Sequence, residues 1–441
     1  MVNKRLGFVG FAVSVILALS ACSGGSSTQS SSGKIVAHPI SWLISRPADA
    51  SVISIVKGLA ADYATTHPGF QLNLITTPDR PSFLQKYETL AAANQLPEMF
   101  DTDATPFTKK LVSQGKLVNV EKLLKDLGLY NNYRPLALNY QRFDDGSLYM
   151  VPFEFEMEFF WYNKALFSKA GVSVPKTLDD IVNLCAPLRS QGIIPIAVDG
   201  QDGWPLERYM AYVPFRLAGP DYLNQLKKGQ VKLSGTVGSQ AAQWISNLGA
   251  NHCFPQGFSS QGYNDALNLF TSGKAALYEI GTWELGSLTS PKLPDAVKGN
   301  IDYFTLPTMS GAVTANNDYT VVSGIGTGLS AAKFDPLMKD FMGYLLSHYS
   351  DKLVQSGHMS PIAGANVVIP PGSSELYARA LSESNNLGNK VAFPWDTQLD
   401  PTTNTRLQQD MVLLAQNQET PQAFTKTIDD TIAVNAPKFF G

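Results

Sequence analysis

The fold of this chain is decided by the stretch Ile40-Ser41-Trp42-Leu43-Ile44, whose apolar run predicts a buried strand. Residues 52–63 follow with the apolar spacing of a helix, which the break His67-Pro68-Gly69 ends. The segment Phe70-Gln71-Leu72-Asn73-Leu74-Ile75 then alternates like a second strand. A strand, a helix and a strand in this order predict a β-α-β unit with parallel pairing.

The same alternation continues along the chain. Residues 83–94 predict a helix and Pro97-Glu98-Met99-Phe100-Asp101 a short strand, while Thr177 and Asp180 predict a capping box that opens a helix at 178–191. Strands and helices in alternation are typical of an α/β fold. Ligands of such sheets bind beyond the carboxyl ends of the strands, so the loops at Ser45-Arg46 and Asp101-Thr102-Asp103 are predicted at a cleft.

A further strand is predicted at Phe153-Glu154-Phe155-Glu156-Met157-Glu158-Phe159. Strict alternation puts its three glutamates on one face and its apolar residues on the other. We interpret Glu154 and Glu158 as the solvated side of this strand.

The amino terminus predicts export and a lipid anchor. Lys4 and Arg5 precede an apolar run at residues 6–17 that is too short to span a bilayer, which is typical of a signal peptide over residues 1–21. The tetrapeptide Leu19-Ser20-Ala21-Cys22 resembles a bacterial lipobox. We therefore predict that lipid chains such as palmitate on Cys22 anchor the mature protein to the outside of the cell membrane, with residues 22–33 as a Ser/Gly-rich tether.

Composition excludes some classes of partner. A net charge of -3 with 16% charged residues provides no basic footprint for nucleic acid, so polar, uncharged ligands are favoured. The five histidines are scattered, so we predict neither a metal site nor a cofactor. Cys185 and Cys253 are candidates for a disulfide in an oxidising compartment, although their spacing leaves open whether they are bonded.

Taken in order, a series of short motifs resembles the family 1 extracellular solute-binding proteins, the carbohydrate-binding components of ABC importers that include the maltose-binding protein. The motifs span nearly the whole mature chain, and they are Leu96-Pro97-Glu98-Met99-Phe100, Gly115-Lys116-Leu117-Val118, Tyr149-Met150-Val151-Pro152, Trp161-Tyr162-Asn163-Lys164, Pro175-Lys176-Thr177-Leu178-Asp179-Asp180, Phe270-Thr271-Ser272-Gly273-Lys274-Ala275-Ala276-Leu277 and Gly281-Thr282-Trp283.

The resemblance implies a two-lobe periplasmic-binding-protein fold of type II, with the ligand between lobes that close by hinge bending. It implies chain crossings near residues 153–159, 319–324 and Pro361. The first lobe is then residues 34–153 and 320–372, and the second lobe is residues 154–319 and 373–441. A stacking aromatic of the maltose-binding protein is missing where Asp101-Thr102-Asp103 stands, which argues against maltodextrin as the ligand.

A sugar site needs flat aromatic rings for the C–H faces and planar polar side chains for the hydroxyls. Trp161 and Trp244 have the pattern of core residues, whereas four tryptophans near turn residues are candidates for stacking. The resemblance supports Trp283, Trp395 and Trp204 in that role, and it matches Glu156 to an interlobe glutamate that accepts hydroxyl hydrogen bonds. The full set of predicted ligand contacts is Trp283, Trp395, Glu156, Trp204, Asp103, Asp101, Arg46, Trp42 and Glu284.

These features predict a monomeric, lipid-anchored protein that captures a neutral oligosaccharide and delivers it to the permease subunits of an ABC transporter. One alternative is a surface glycoside hydrolase that uses Glu154, Glu156 and Glu158. Because catalytic carboxylates act from opposite sides of one bond, three glutamates on one strand face argue against an enzyme. The other alternative is a binding protein for a non-sugar solute.

Overall fold

Two β-sheets, each covered by helices, make up the fold of this protein. The computed structural model describes residues 35–46, 50–362, 372, 374–388 and 390–440. The predicted signal peptide, Cys22 and the tether lie outside these residues. Within the part of the chain that is described, no helix combines the length and the apolar character needed to cross a membrane. The prediction of a two-lobe α/β fold is confirmed.

The strands of the described residues form two sheets that differ in strand order. In chain order they are β1 (Pro39–Leu43), β2 (Gln71–Ile75), β3 (Met99–Thr102), β4 (Met150–Val151), β5 (Glu156–Asn163), β6 (Ile194–Ala197), β7 (Ala275–Gly281), β8 (Ile301–Phe304), β9 (Val321–Val322) and β10 (Gly326–Leu329). The first sheet has the order β2-β1-β3-β10-β4, and the second has the order β6-β7-β5-β8 with β9 paired to β5.

Helices cover both sheets. In chain order they are α1 (Ser51–Thr66), α2 (Arg80–Ala92), α3 (Pro106–Ser113), α4 (Val120–Asp126), α5 (Pro135–Tyr140), α6 (Lys164–Ala170), α7 (Leu178–Asn183), α8 (Cys185–Ser190), α9 (Trp204–Ala218), α10 (Tyr222–Lys227), α11 (Thr236–Ala250), α12 (Tyr263–Thr271), α13 (Leu285–Leu288), α14 (Pro336–Gln355), α15 (Glu375–Ser382), α16 (Pro401–Ala415) and α17 (Pro421–Phe439). Short 3-10 helices include Thr282–Glu284, which directly follows β7.

The first sheet is built on the predicted β-α-β unit. Strand β1 pairs in parallel with β2 on one side and with β3 on the other, and β10 continues the sheet in the antiparallel direction. Since β1 and β3 are parallel neighbours, their carboxyl ends open onto the same edge. That edge carries the loops at Arg46 and Asp103.

The second sheet is organised around β5, where the structure corrects the predicted strand. Glu154 precedes β5, and within the strand only Tyr162 is partly exposed. Glu158 is therefore buried, and the prediction of a wet face was wrong. Alternation assigns side chains to two faces, but here both faces are covered, because β5 lies between β7 and β8 inside a helix-covered sheet.

The chain passes between the two hydrophobic cores at three places. It leaves the first sheet after β4 and enters β5, returns from β9 to β10, and passes again between Leu353 of the first core and Met359 of the second. Strand β9 pairs with the start of β5, so two of these passages lie side by side. The exact lobe boundaries stay a prediction.

A capping box and a proline determine where the two helices before the disulfide begin and end. The capping box of Thr177 and Asp180 is confirmed at the start of α7. The predicted helix at 178–191 is interrupted at Leu184, because Pro187 has no N–H to bond the carbonyl four residues earlier. Cys185, which begins α8, has its Sγ atom 2.10 Å from that of Cys253, and this disulfide closes a separation of 68 residues.

Candidate functional site

Arg46, at the carboxyl end of β1, is a junction between the first sheet and two chain passages. Its Nη1 lies 2.8 Å from Oδ2 of Asp101, and its Nη2 lies 3.1 Å from Oε2 of Glu154 and donates to the carbonyl of Ile325. Burial opposes the positive charge, but the charges of Asp101 and Glu154 outweigh burial and raise the pKa of Arg46. Arg46 therefore stays charged and holds the hinge region together.

Trp42 and Asp101 belong to the core beneath this junction. Both side chains are 0% exposed, and Nε1 of Trp42 donates to Oδ1 of Asp101 over 3.0 Å. The backbone N–H of Ser45 and the hydroxyl of Thr327 donate to the same carboxylate. The polar atoms of Trp42 and Asp101 are thus paired with each other and with the first sheet, and both side chains are buried in this structure, so their predicted ligand contacts stay a prediction.

A second ion pair lies at the end of β3. Arg80, the first residue of α2, donates to Asp103, whose side chain is buried. Burial raises the pKa of Asp103 and the charge of Arg80 opposes this, while the charge of Asp396 from the second lobe raises it further. Sequence reasoning missed Arg80, although its place after the N-cap Asp79 is a recognisable helix start.

A third arginine, Arg208, pairs with two carboxylates of the second lobe. Nε of Arg208, on α9, lies 3.0 Å from both carboxylate oxygens of Glu158, and its Nη1 lies 2.6 Å from Oδ1 of Asp396. Burial raises the pKa of Glu158, and the charge of Arg208 opposes it. Arg208 also escaped sequence reasoning, because nothing in a helical segment shows which buried acid a charged residue will meet.

Tyr140, the last residue of α5, lies between these two ion pairs. Its ring centroid is 6.1 Å from that of Phe393. Burial raises the pKa of Tyr140 well above its ordinary value, and the charge of Asp103 adds to this while that of Arg208 opposes it. The contact with Phe393 brings the end of α5 against the loop that carries Asp396.

Glu156, the first residue of β5, is buried where the chain passages meet. The hydroxyl of Thr282 donates to its Oε2, and its Oε1 lies 3.9 Å from Nδ1 of His358. Burial raises the pKa of Glu156 to about 8, the hydrogen bond from Thr282 opposes this, and the charge of Glu154 adds to it. At neutral pH Glu156 is therefore mostly protonated, so its carboxyl group can donate a hydrogen bond as well as accept one.

Three rings of the second lobe form an aromatic cluster, which we define as Trp204, Tyr263 and Trp283. The ring centroid of Trp204 lies 6.3 Å from that of Tyr263 and 6.5 Å from that of Trp283. Nε1 of Trp283 donates to the hydroxyl of Tyr263 over 2.7 Å, and that hydroxyl donates to Glu284. This chain of hydrogen bonds fixes the orientation of Trp283, and all three rings are half-buried.

The backbone beneath Trp283 leaves no room for a side chain. A Cβ atom at Gly281, the last residue of β7, would lie 1.9 Å from a ring atom of Trp283. The indole therefore packs directly against the end of the strand.

Trp395 lies in a loop, as predicted, but the structure does not present its ring to the site. Its side chain is 3% exposed, and the ring stacks on Tyr222 with centroids 6.4 Å apart. Its neighbour Asp396 reaches the site through Arg208. Of the predicted residues, the structure brings Arg46, Asp103, Glu156, Trp204, Trp283 and Glu284 to the interlobe region or the aromatic cluster, and it buries Trp42, Asp101 and Trp395 in packing.

This arrangement is that of a binding cleft. Asp101, Asp103 and Glu158 are paired with arginines, and among the described residues no group of three or more His, Cys, Asp or Glu side chains could hold a metal ion. Half-buried rings beside charged and polar side chains are the lining that a site for a small solute requires.

The chain belongs to a family described as bacterial extracellular solute-binding proteins, whose match covers residues 49–348. It is similar to a Multiple sugar-binding protein of Streptococcus mutans, with 23% identity over 295 residues, 65% of this chain and 66% of that protein. The next two curated relatives are matched over 55% and 52% of their length. The chain therefore spans between half and two thirds of the curated relatives that it matches first.

Solved structures show the same fold. A chitin oligosaccharide binding protein superimposes with a TM-score of 0.80 at 20% identity, covering 91% of this chain and 99% of that chain. A maltose-bound protein of T. maritima superimposes with a TM-score of 0.71 at 17% identity, covering 90% of this chain and 100% of that chain.

The buried Glu156 predicts a dependence of stability on pH. An unfolded glutamate titrates near 4.5 and the folded one near pH 8, so between these values the folded state holds a proton that the unfolded state has lost. The stabilisation is complete below pH 4.5 and disappears as the pH rises through 8. Urea unfolding of the wild type and of Glu156→Gln at pH 5 and pH 8 should show a wild-type loss that is larger by roughly 1–3 kcal/mol. Equal losses would contradict the buried, protonated state.

The contact between Gly281 and Trp283 predicts that a single methyl group disturbs the aromatic cluster. Gly281→Ala should displace the indole and weaken the binding of a ligand that contacts this ring by roughly tenfold, or about 1.4 kcal/mol. Gly286→Ala is the matched control, because a Cβ atom at Gly286 meets no atom within 4 Å. Tryptophan emission and calorimetric titration measure the two effects, and unchanged values for both variants would be inconsistent with this packing.

Proposed function

We propose that this protein captures an oligosaccharide between its lobes and delivers it to the permease subunits of an ABC importer. The observation that carries the proposal is the aromatic cluster of Trp204, Tyr263 and Trp283, whose rings lie beside Glu284 and Arg208. Aromatic rings bury the C–H faces of a sugar, and charged or amide groups bond its hydroxyls.

Membership of the family and the names of its relatives support this proposal. The relatives include proteins named for multiple sugars, chitin oligosaccharide and maltose. Within the proposed site we assign Trp204 and Trp283 to sugar faces, and Glu156, Asp103 and Glu284 to hydroxyls. Because Glu156 is largely protonated at neutral pH, it can donate a hydrogen bond as well as accept one.

The place of action follows from the same family. Its members are extracellular solute-binding proteins, so this chain works outside the cytoplasm. We propose that the lipid on Cys22 holds a monomer at the cell membrane, near the permease, and that the tether at 22–33 lets it reach the permease. The motif Leu19-Ser20-Ala21-Cys22 supports this anchor.

The ligand class is tested with a panel of oligosaccharides of two to six units, using intrinsic tryptophan emission and calorimetry. Trp283→Ala should lose roughly 1.5–3 kcal/mol, or one to two decades in affinity, because the buried aromatic face is removed. Trp161→Phe is the matched control, since Trp161 is a fully buried tryptophan of β5 outside the cluster. A protein that binds no saccharide but binds peptides or ions would contradict the proposal.

The anchor is tested in cells supplied with labelled fatty acid. The wild type should carry the label and sediment with membranes, and Cys22→Ala should be unlabelled and soluble, because the thiol is the attachment point. An unlabelled, freely soluble wild type would be incompatible with lipidation.

A further inference from the structure

An ion pair between Asp144 and Lys227 joins the loop before β4 to helix α10 of the second lobe. We propose that this pair is a latch, which holds the lobes together over a bound oligosaccharide and slows its release. Asp144 and Lys227 are then positioning residues that act through the relative placement of the lobes and do not touch the ligand. The inference takes its ligand class from the proposed function, whereas the latch itself rests on contacts within the protein.

Lys227 is a buried lysine that faces a carboxylate of the other lobe. Its side chain is 3% exposed, and its Nζ lies 2.8 Å from Oδ1 of Asp144. The same Nζ donates to Oε1 of Gln398 over 3.3 Å and lies 5.4 Å from the ring centroid of Phe440, both in the second lobe. Separation of the lobes would leave this ammonium group with a neutral amide and a ring. Because an unpaired buried charge is costly, the pair favours the lobes in contact.

The two partners stabilise each other's charge. Burial lowers the pKa of Lys227, and the hydrogen bond and charge of Asp144 oppose this. Burial would raise the pKa of Asp144, but the hydrogen bond and charge of Lys227 outweigh it and lower that pKa. Nζ of Lys228 lies 3.4 Å from Oδ2 of the same carboxylate. Two neighbouring lysines of α10 thus meet one acid of the first lobe.

The loop that carries Asp144 is fixed to the first lobe by its own ion pairs. Lys109, on α3, donates to the carboxylate of the next residue, Asp145. On the other side of Asp144, Nη1 of Arg142 lies 2.7 Å from Oε2 of Glu121, on α4. The loop therefore presents Asp144 in a set position, so little conformational entropy is lost when it pairs across the lobes.

The latch is connected to the candidate site from both lobes. In the first lobe, Lys109 belongs to α3, which begins three residues after Asp103. In the second lobe, Gln398 follows Asp396 by two residues, and Asp396 is a partner of Arg208. The latch therefore borders the region between the two arginine-bound carboxylates, Asp103 and Asp396. A solute held there is released more slowly while the latch is formed, so the dissociation rate is the quantity that the latch controls.

The test measures lobe separation and ligand release in variants of the full chain. X-ray scattering of ligand-free Asp144→Asn and Lys227→Met should give a larger radius of gyration than the wild type, because the lobes lose a contact. Stopped-flow tryptophan emission follows cellotetraose, xylotetraose and chitotetraose. Any of these that binds the wild type should dissociate roughly tenfold faster from both variants, with a smaller change in association rate. The double variant should add no further effect, because each single change already breaks the pair.

Asp145→Asn is the matched control, since it removes the same charge from the adjacent residue, whose partner Lys109 lies in the same lobe. Asp144→Glu should retain slow release. The side chain of Asp144 is 44% exposed, so Asp144→Asn keeps the test valid if thermal melts show that Lys227→Met does not fold.

A wild-type radius of gyration together with wild-type dissociation in Asp144→Asn would overturn the latch, and so would an equal change in Asp145→Asn. If no saccharide binds the wild type, the proposed function fails, and the scattering of the ligand-free variants alone decides whether the latch exists.

Discussion

The arrangement of the interlobe region depends on keeping three arginines neutralised, of which Arg46 and Arg208 are buried and Arg80 is half-buried. Each of them meets one or two carboxylates. Removing one partner of a buried pair leaves an uncompensated charge that costs about 3–5 kcal/mol. The ends of β1, β3 and β5 are therefore fixed relative to one another by electrostatics as well as by packing. A solute that enters this region meets side chains whose positions are already set, which lowers the entropy cost of binding.

Much of the fold could be predicted because its signals are local. The apolar run at β1, the alternation of β2 and the capping box of Thr177 each depend on residues close in sequence, and the structure has them. The partners of Arg80 and Arg208 depend on distant segments, so no pattern within α2 or α9 could have named them. For Trp42, a predicted site residue, the sequence likewise could not show the partner from a distant segment. Its place beside the cleft loop was predictable, but its hydrogen bond to Asp101 became visible only in the folded chain.

The glutamates of β5 show how environment, rather than residue type, decides chemistry. Glu156 and Glu158 are two residues apart and both are buried, yet Glu158 faces Arg208 and Glu156 faces only the hydroxyl of Thr282 and the ring of His358. Burial raises the pKa of both carboxyl groups, but at Glu158 the charge of Arg208 opposes this, whereas at Glu156 only the hydrogen bond from Thr282 does. The sequence showed three similar acids on an alternating strand, and it could not show which of them would meet a cation.

An ion pair and a ring contact join the two lobes outside the candidate site. Away from the cleft floor, Nζ of Lys227 on α10 lies 2.8 Å from Oδ1 of Asp144, which belongs to the loop before β4. The side chain of Lys227 is 3% exposed, so this pair is more than a surface contact. Together with the approach of Tyr140 to Phe393, it joins the lobes without involving the aromatic cluster. Contacts of this kind hold the two lobes against each other in the absence of ligand. A ligand that binds between lobes already in contact needs less of its binding energy to bring them together, so more remains for discrimination at Trp204, Trp283 and the neighbouring carboxylates.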